Sequence, residues 1–268
     1  MNRPARRPPL PRTVLTALEP RALLEFGLLG LTAPLLRRAP EGDGHPVLLL
    51  PGFAAGDATL RPLQAFLKDR GYAVETWGLG RNVGFHRKFA NAIEQKVRYL
   101  HHRSGRKVSL VGWSLGGVFA FYAAHVAPEC VRTVISMGSP LRVDPDGEGA
   151  PLAVKALYRA LAHPLGPIAH AARMRARSLR IPPPVPSTCI YSESDGVIPP
   201  GQATIQGRHA EHENIRVPGS HLGLGVNFLA MWVIADRLAQ PEGDWQPFEA
   251  SGPIAPLYRA LDSLPGIV

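Results

Sequence analysis

This 268-residue sequence contains only two cysteines, Cys130 and Cys189. Two are too few for the disulfide framework that holds small secreted domains together. Each lies beside or within an apolar run typical of a strand, so we expect buried, reduced thiols. The cysteine content is therefore neutral on the cellular compartment.

The N-terminal region lacks a run that could span a bilayer, because FGLLGLTAPLL at residues 26–36 falls short of the roughly 20 apolar residues needed. Small residues that would mark signal-peptide cleavage are also missing, since RRAP follows. We predict instead a helical extension over residues 1–45. Within it, an amphipathic helix over about residues 21–38 packs on the domain or lies in a membrane interface. We expect a cytoplasmic protein, with peripheral membrane contact left open.

Acidic residues are scarce in two stretches of the chain. Residues 1–40 hold seven Arg against two Glu, and residues 151–186 hold six Lys or Arg and no acid. These stretches together carry +11, so the remainder carries −2 of the formal net charge of +9. Neither stretch has the aromatic interleaving or the motif of a common nucleic-acid-binding module, which argues against nucleic acid as a partner. Attraction to an anionic lipid surface explains the pattern at least as well.

Apolar material is plentiful: 45% of the residues are hydrophobic and 19% are charged. This composition supports a sizeable core and carries no overall signature of disorder. At this length we expect one globular domain spanning residues 1–268. The sequence does not indicate an oligomeric state.

Strand-like runs alternate with helical patterns along most of the chain. The runs are HPVLLLPG, YAVETWG, KVSLVG, VRTVISMG, STCIYS and NIRV. Such alternation implies right-handed crossovers between parallel strands. We therefore predict an α/β fold with a mostly parallel six-stranded sheet and helices on both faces. The C-terminal stretch after the last long helical pattern is expected to wrap the surface.

The connection between the fourth and fifth predicted strands is about fifty residues long, far longer than usual. It contains two helix-like pieces, APLAVKALYRALAHPLG and PIAHAARMRARSLR, and ends in IPPPVP. We predict a helical cap inserted over residues 141–186. Its alternating apolar and basic residues fit either a lipid-like substrate presented at an interface or a cap that only closes an apolar pocket.

The motif GWSLG places Ser114 between a strand pattern and a helix pattern. In so tight a strand-to-helix turn the central residue takes a strained backbone conformation, and the flanking glycines avoid collisions with neighbouring backbone. The turn would present the Ser114 hydroxyl at the carboxyl edge of the sheet, where open α/β sheets bind ligands. Ser114 is therefore the candidate nucleophile.

A serine hydroxyl needs a base to activate it, and the base needs an acid to orient it. Asp195 is the candidate acid, because it follows a predicted strand in the loop ESDGVIPP. Three other acids remain open as alternatives: Asp144 and Asp146 after the preceding strand, and Glu193.

His221 in PGSHLGLG is the candidate base, since it lies in a glycine-rich loop between the last predicted strand and the last long helical pattern. His209 and His212 also follow Asp195, but they occupy a polar stretch typical of the solvated surface. The resulting chain order of Ser, Asp and His is the one that this type of sheet uses.

The remaining requirement is a pair of donors for the oxyanion of a tetrahedral intermediate. We expect these to be the backbone amides of Leu115, which follows the nucleophile, and of Phe53 in the turn LLLPGFAAGD after the first strand. No ligands occur at a recognisable metal-binding spacing, so we expect neither a metal nor a cofactor.

With these motifs in view, the sequence resembles the α/β-hydrolase superfamily, and within it the bacterial triacylglycerol lipase and esterase group. The segments that carry the resemblance are LLLPGF, GWSLGG, MGSP, SESDGVIP and GSHLGLG, spread over about residues 46–238. The stretch WGLGRNVG resembles this group too, and Arg81 or Asn82 there is a candidate tether for the loop near the site. Pro51 and Trp113 depart from the group, since many lipases have His at both positions.

The resemblance implies a serine carboxylic-ester hydrolase that acts through Ser114, His221 and Asp195 on small-molecule or lipid esters. An acyltransferase or thioesterase would use the same acyl-enzyme with another acceptor, so both remain open. A catalytically silent lipid-surface binding protein is the non-enzyme alternative.

Overall fold

The computed structural model describes residues 12–142 and 181–263. Most of the predicted cap, over residues 143–180, lies outside the described residues, as do Asp144 and Asp146. Among the described helices, none is both long and apolar enough to cross a membrane.

The six predicted strands form one sheet in which every pairing is parallel. They are β1 (Pro46–Leu50), β2 (Ala73–Thr76), β3 (Val108–Trp113), β4 (Val131–Met137), β5 (Ser187–Tyr191) and β6 (His212–Arg216). The strand order is β2-β1-β3-β4-β5-β6, so the chain reverses direction across the sheet next to β1 and β3. In such sheets, ligand sites form at the carboxyl ends of the strands beside this reversal.

Helices cover both faces of the sheet, as predicted. The described helices are α1 (Arg12–Ala17), α2 (Ala22–Leu36), α3 (Arg61–Asp69), α4 (Arg87–Ser104), α5 (Leu115–Val126), α6 (Pro200–Ala203), α7 (Phe228–Ala239) and α8 (Ala255–Ser263). Alternate residues of β1 serve the two faces: Leu48 and Leu50 pack with α4 and α5, and Val47 and Leu49 pack with α3 and α7. The central strands are therefore apolar on both sides and fully buried, as buried parallel strands require.

The N-terminal extension is helical. Its helix α2 was predicted to be amphipathic, but it is not. Its outward side carries exposed apolar residues where a polar face was expected, namely Leu23, Leu24, Phe26, Leu28 and Leu31. Leu36, at the end of the helix, is buried in the core on the α7 side of the sheet. The period of the apolar residues was misjudged because leucine occurs nearly all round the helix.

The C-terminal stretch contains more regular structure than expected, since α8 follows a turn whose Ile254 is fully buried. Both cysteines are buried free thiols, as predicted.

A polar cluster around the buried His45 lies at the amino edge of the sheet, opposite to the carboxyl edge. We call it the amino-edge cluster; it consists of Asp43, His45, Ser109 and Arg132. The His45 ring contacts Asp43 through Nδ1 at 2.5 Å and Ser109 Oγ through Nε2 at 2.7 Å. Arg132 donates to the Asp43 carboxylate at 2.7 Å. This cluster ties the segment before β1 to β3 and β4.

Candidate active site

The turn between β3 and α5 holds Ser114 in a conformation that non-glycine residues rarely adopt, with φ 53° and ψ −122°. Its amide donates to the carbonyl oxygen of Met137 on β4 at 2.8 Å, which fixes the turn to the neighbouring strand. The surrounding structure thus maintains a backbone strain of order 1–3 kcal/mol. Strain of this kind at a partly exposed serine is typical of a nucleophile turn.

The glycines around Ser114 allow the close backbone contacts that this turn needs. A Cβ atom on Gly116 would overlap the carbonyl oxygen of Leu50, and one on Gly112 would overlap the backbone of Gly116. A Cβ atom on Gly117 would overlap the side chain of Ser139. The glycine pattern around the turn is therefore a packing requirement, as the sequence analysis expected.

The structure brings together the three residues that the sequence singled out. His221 Nε2 lies 3.0 Å from Ser114 Oγ, and His221 Nδ1 lies 2.7 Å from Asp195 Oδ2. Both distances are within hydrogen-bond reach. Asp195 Oδ1 also accepts from the amides of Val197 and Ile198, at 2.8 and 2.6 Å, so the carboxylate is held by donors on both oxygens.

The environment of His221 acts on its basicity in two directions. Burial of the ring opposes protonation, but the negative charge of Asp195, the hydrogen bond to Asp195 and the charge of Glu19 outweigh it, so the pKa of His221 is raised above its usual value. Asp195 and His221 are nearly inaccessible, with 1% and 4% of their surface exposed, whereas Ser114 is partly exposed. The arrangement therefore has a strengthened base beside an accessible hydroxyl.

Those alternative residues that the structure describes do not join this group. Glu193 pairs with Arg216 at 3.1 Å. His209 is exposed, as expected. The expectation of a solvated His212 was wrong: it is buried, and its Nδ1 contacts Ser187 Oγ at 2.8 Å, because the polar stretch around it forms β6 beside β5.

The two predicted oxyanion donors flank the candidate nucleophile in the structure. Leu115 is the first residue of α5, where backbone N–H groups and the helix dipole favour negative charge. A Cβ atom on Gly52 would lie 3.2 Å from Ser114 Cβ, so the turn that carries Phe53 runs directly beside the serine. The oxyanion role of Phe53 and Leu115 remains a prediction.

Asn82 tethers the turn that carries Phe53, whereas Arg81 is exposed. The fully buried Asn82 side chain donates to the Pro51 carbonyl at 2.8 Å, and its backbone carbonyl accepts from Ala54 at 2.7 Å.

Two further contacts around the base were not predicted from the sequence. Trp113 Nε1 donates to the backbone carbonyl of His221 at 3.1 Å, so the residue before the nucleophile supports the base. A Cβ atom on Gly138, whose φ is 53°, would lie about 3 Å from both Asp195 Oδ2 and His221 Nδ1. The MGSP motif after β4 therefore leaves room for the acid–base pair.

The amino-edge cluster repeats the same residue types in a second Ser-His-Asp arrangement. Its Ser109 and His45 are fully buried, so no substrate can approach this second hydroxyl. Of the two arrangements, only the one at the carboxyl edge combines the contacts with exposure.

The described residues contain no group of His, Cys, Asp and Glu side chains that could hold a metal ion.

Comparison with known proteins finds likeness in both sequence and fold. No model of a protein family matches the chain. A pimeloyl-(acyl-carrier protein) methyl ester esterase of Photobacterium profundum is 31% identical over 109 residues, which cover 40% of this chain and 42% of the relative. A mouse serine hydrolase, BPHL, is 28% identical over 113 residues, which cover 38% of each protein. The chain thus matches only about two fifths of the length of these curated relatives.

Among solved structures, Aspergillus fumigatus lipase B is similar at a TM-score of 0.57 and 18% identity, covering 75% of this chain and 54% of the lipase. A Bacillus licheniformis lipase, BlEst2 in its mature form, is similar at a TM-score of 0.55 and 17% identity, covering 76% of this chain and 95% of the lipase. At these identities the structural likeness concerns the fold.

Proposed function

We propose that this chain is an α/β hydrolase related to lipases and esterases, and that it hydrolyses carboxylic esters with apolar acyl groups. Its catalytic residues are Ser114, His221 and Asp195. The observation that carries this proposal is the continuous series of contacts from an accessible Ser114 Oγ, through the His221 ring, to the Asp195 carboxylate. A fold alone does not define an activity, so it is this geometry that supports ester hydrolysis.

The first half of the reaction is acylation of the enzyme. Ser114 Oγ attacks the ester carbonyl carbon while His221 Nε2 takes the hydroxyl proton. The imidazolium that forms is stabilised by Asp195, which accepts from Nδ1–H and remains ionised. The carbonyl oxygen becomes an oxyanion, and the amides of Phe53 and Leu115 donate to it.

The second half releases the products. The tetrahedral intermediate expels the alcohol, which takes the proton from His221 Nε2, and an acyl ester on Ser114 remains. A water molecule then attacks this ester and gives a proton to His221. When the second intermediate collapses, Ser114 Oγ takes that proton back and the carboxylic acid leaves.

The names of the two relatives support an acyl-enzyme mechanism. One is named for hydrolysis of a methyl ester and the other is named a serine hydrolase. A methyl ester leaves only a small alcohol, so the acyl part supplies most of the apolar surface that the site could recognise. For this reason we place the specificity of this chain on the acyl side of the ester.

The proposal is tested by replacing Ser114 and, as a control, Ser109, which also contacts a histidine. On p-nitrophenyl esters of several acyl lengths, Ser114→Ala should lower kcat at least about 10³-fold, because only binding and oxyanion stabilisation remain. It should also abolish labelling by a fluorophosphonate probe. Ser109→Ala is the matched control, since it removes an equivalent hydroxyl from the inaccessible amino-edge cluster. Full hydrolysis by Ser114→Ala, or loss of labelling only in Ser109→Ala, would show the assignment to be wrong.

A further inference from the structure

The N-terminal extension makes direct contacts with the two loops that hold the charged members of the site. We call residues 192–199, which follow β5, the acid loop, and residues 217–223, which follow β6, the base loop. Glu19 lies in a 3-10 turn between α1 and α2, and only 5% of its surface is exposed. Its carboxylate forms no ion pair with any residue of the described chain. A buried carboxylate without a cation needs other donors, since burying a charge otherwise costs several kcal/mol.

Those donors come from both loops. Glu19 Oε1 accepts from the amide of Gly196 at 2.7 Å and from the amide of His221 at 3.0 Å. Glu19 Oε2 accepts from the amide of Leu222 at 2.9 Å. A single carboxylate therefore joins the residue directly after Asp195 to the backbone of His221 itself.

Neighbouring residues of the extension hold the acid loop as well. Arg21 donates to the carbonyl of Ser194 at 2.7 Å, and the Thr16 hydroxyl donates to the carbonyl of Gly196 at 2.6 Å. The fit is close, because a Cβ atom on Gly196 would overlap the carbonyl of Leu15. On the base loop, Glu25 accepts from the amide of Ser220 at 2.8 Å.

The charges around the base do not cancel. Among residues 12–142 and 181–263, the charged groups that contact the base loop or each other there are Asp195 from the acid loop and three residues of the extension, Glu19, Arg21 and Glu25. Arg21 and Glu25 pair with each other at 3.5 Å, so their charges largely offset. Glu19 has no ion-pair partner within the described part of the chain, and its negative charge acts to raise the pKa of His221.

We propose that Glu19 is a positioning residue for the reaction proposed above: it fixes the acid loop to the base loop, and its charge stabilises the protonated imidazole during catalysis. This inference rests on the proposed function, in which His221 becomes protonated when Ser114 attacks. Glu19 does not touch the substrate and acts only through His221 and the two loops.

The test compares three variants of the full chain. Glu19→Gln keeps the size of the side chain and removes its charge, and Glu19→Asp keeps the charge but is too short to reach both loops. Thr16→Val is the matched control, because it removes one hydrogen bond to the acid loop without changing any charge. NMR titration of the His221 ring, assigned with His221→Gln, reports the pKa of the base directly.

We expect Glu19→Gln to lower the pKa of His221 by roughly one unit, which is the usual effect of removing a nearby opposite charge. Thr16→Val should leave that pKa unchanged. In ester hydrolysis, Glu19→Gln should lower kcat about tenfold with little change in KM. Glu19→Asp should lower kcat by a smaller factor, and the pH at which its hydrolysis rate falls on the acid side should stay near that of the wild type.

An unchanged pKa of His221 in Glu19→Gln would overturn the proposal, and that result is readable even if the chain hydrolyses no ester. Wild-type kcat in Glu19→Asp would overturn it too, which covers the case in which Glu19→Gln does not fold. Failure of the proposed function is a separate result, namely no hydrolysis and no fluorophosphonate labelling by the wild type.

Discussion

At the scale of single residues, the site depends on a base whose neighbours oppose one another. Burial of His221 works against its positive form, and the charges of Asp195 and Glu19 work for it, with the balance raising the pKa. The same two charges therefore set both the strength of the base and the pH at which it loses its proton. A base that is stronger than an ordinary histidine is protonated over a wider acidic range.

The pH dependence of hydrolysis follows from the raised pKa of His221. His221 must be neutral to accept the proton of Ser114, so kcat/KM should fall as the pH drops through the pKa of His221, with a midpoint above 6.5. Asp195→Asn should move this midpoint to lower pH, because it removes the charge that favours the imidazolium. It should also lower kcat by on the order of 10³–10⁴-fold, since the ring loses its acceptor at Nδ1.

The measurement is a pH–rate profile of the wild type and of Asp195→Asn on a soluble ester. Glu193→Gln serves as the control for the loss of a nearby carboxylate, because Glu193 pairs with Arg216 and not with the base. A wild-type acid limb centred below pH 6.5 would contradict the direction derived for His221.

At the scale of single elements, the turn from β3 into α5 leaves no room for added side-chain atoms at Gly116. Gly116 lies against the backbone of Leu50 on β1, and backbone cannot move aside as a flexible side chain can.

We therefore expect Gly116→Ala to lower the free energy of unfolding by about 2–4 kcal/mol through overpacking. Gly30→Ala in α2 is the matched control, because no atom lies within 4 Å of its added Cβ. That control should raise stability by roughly 0.5–1 kcal/mol, since alanine favours helix over glycine. Urea unfolding measures both, and equal stability of Gly116→Ala and the wild type would refute the packing argument.

The elements were also where sequence reasoning worked best. Uninterrupted apolar runs such as HPVLLLPG predicted buried parallel strands, and all six strands occur where the runs are. The strand-to-helix context of GWSLG led to Ser114, and the loops after β5 and β6 led to Asp195 and His221, because the carboxyl ends of parallel strands share one edge.

Sequence reasoning failed where a residue's environment comes from distant parts of the chain. The contacts of Glu19 were not predicted, since its partners are separated from it by 177 to 203 positions. The burial of His212 was missed for a similar reason, because it depends on the pairing of β6 with β5. Local patterns do not encode such contacts.

At the scale of the whole molecule, the two edges of the sheet carry histidines whose pKa values are shifted in opposite directions. Burial lowers the pKa of His45 in the amino-edge cluster to about 4, with Asp43 opposing the shift and Arg132 adding to it. Burial and the charge of His209 lower the pKa of His212 to about 4 as well. The pKa of His221, at the other edge, is raised.

The direction in which stability changes with pH follows from the linkage between proton binding and folding. Between about pH 6.5 and pH 4, the unfolded chain binds protons at His45 and His212 that the folded chain does not, so the free energy of unfolding falls as the pH drops. Each residue should contribute on the order of 1–3 kcal/mol across this window. His221 acts in the opposite direction, since its contribution is present below pH 6.5 and is lost as the pH rises through its raised pKa.

Urea unfolding at pH 7 and at pH 4.5 tests this balance. His212→Gln should flatten the decline, because it removes one of the two described histidines whose pKa is lowered to about 4. His102→Gln, at an exposed position of α4, should leave the decline as it is. A wild-type protein that is as stable at pH 4.5 as at pH 7 would contradict the argument.

The contacts of Glu19 have a consequence for the order in which the molecule is built. Residues 12–25 leave the ribosome long before the acid and base loops exist, and their partners there are only synthesised nearly 200 residues later. Closing so large a loop carries a high entropic cost and is slow. The sheet can form from its own neighbouring strands, but the candidate site gains the contacts of Glu19 only after both loops have been synthesised and the N-terminal extension has docked on them.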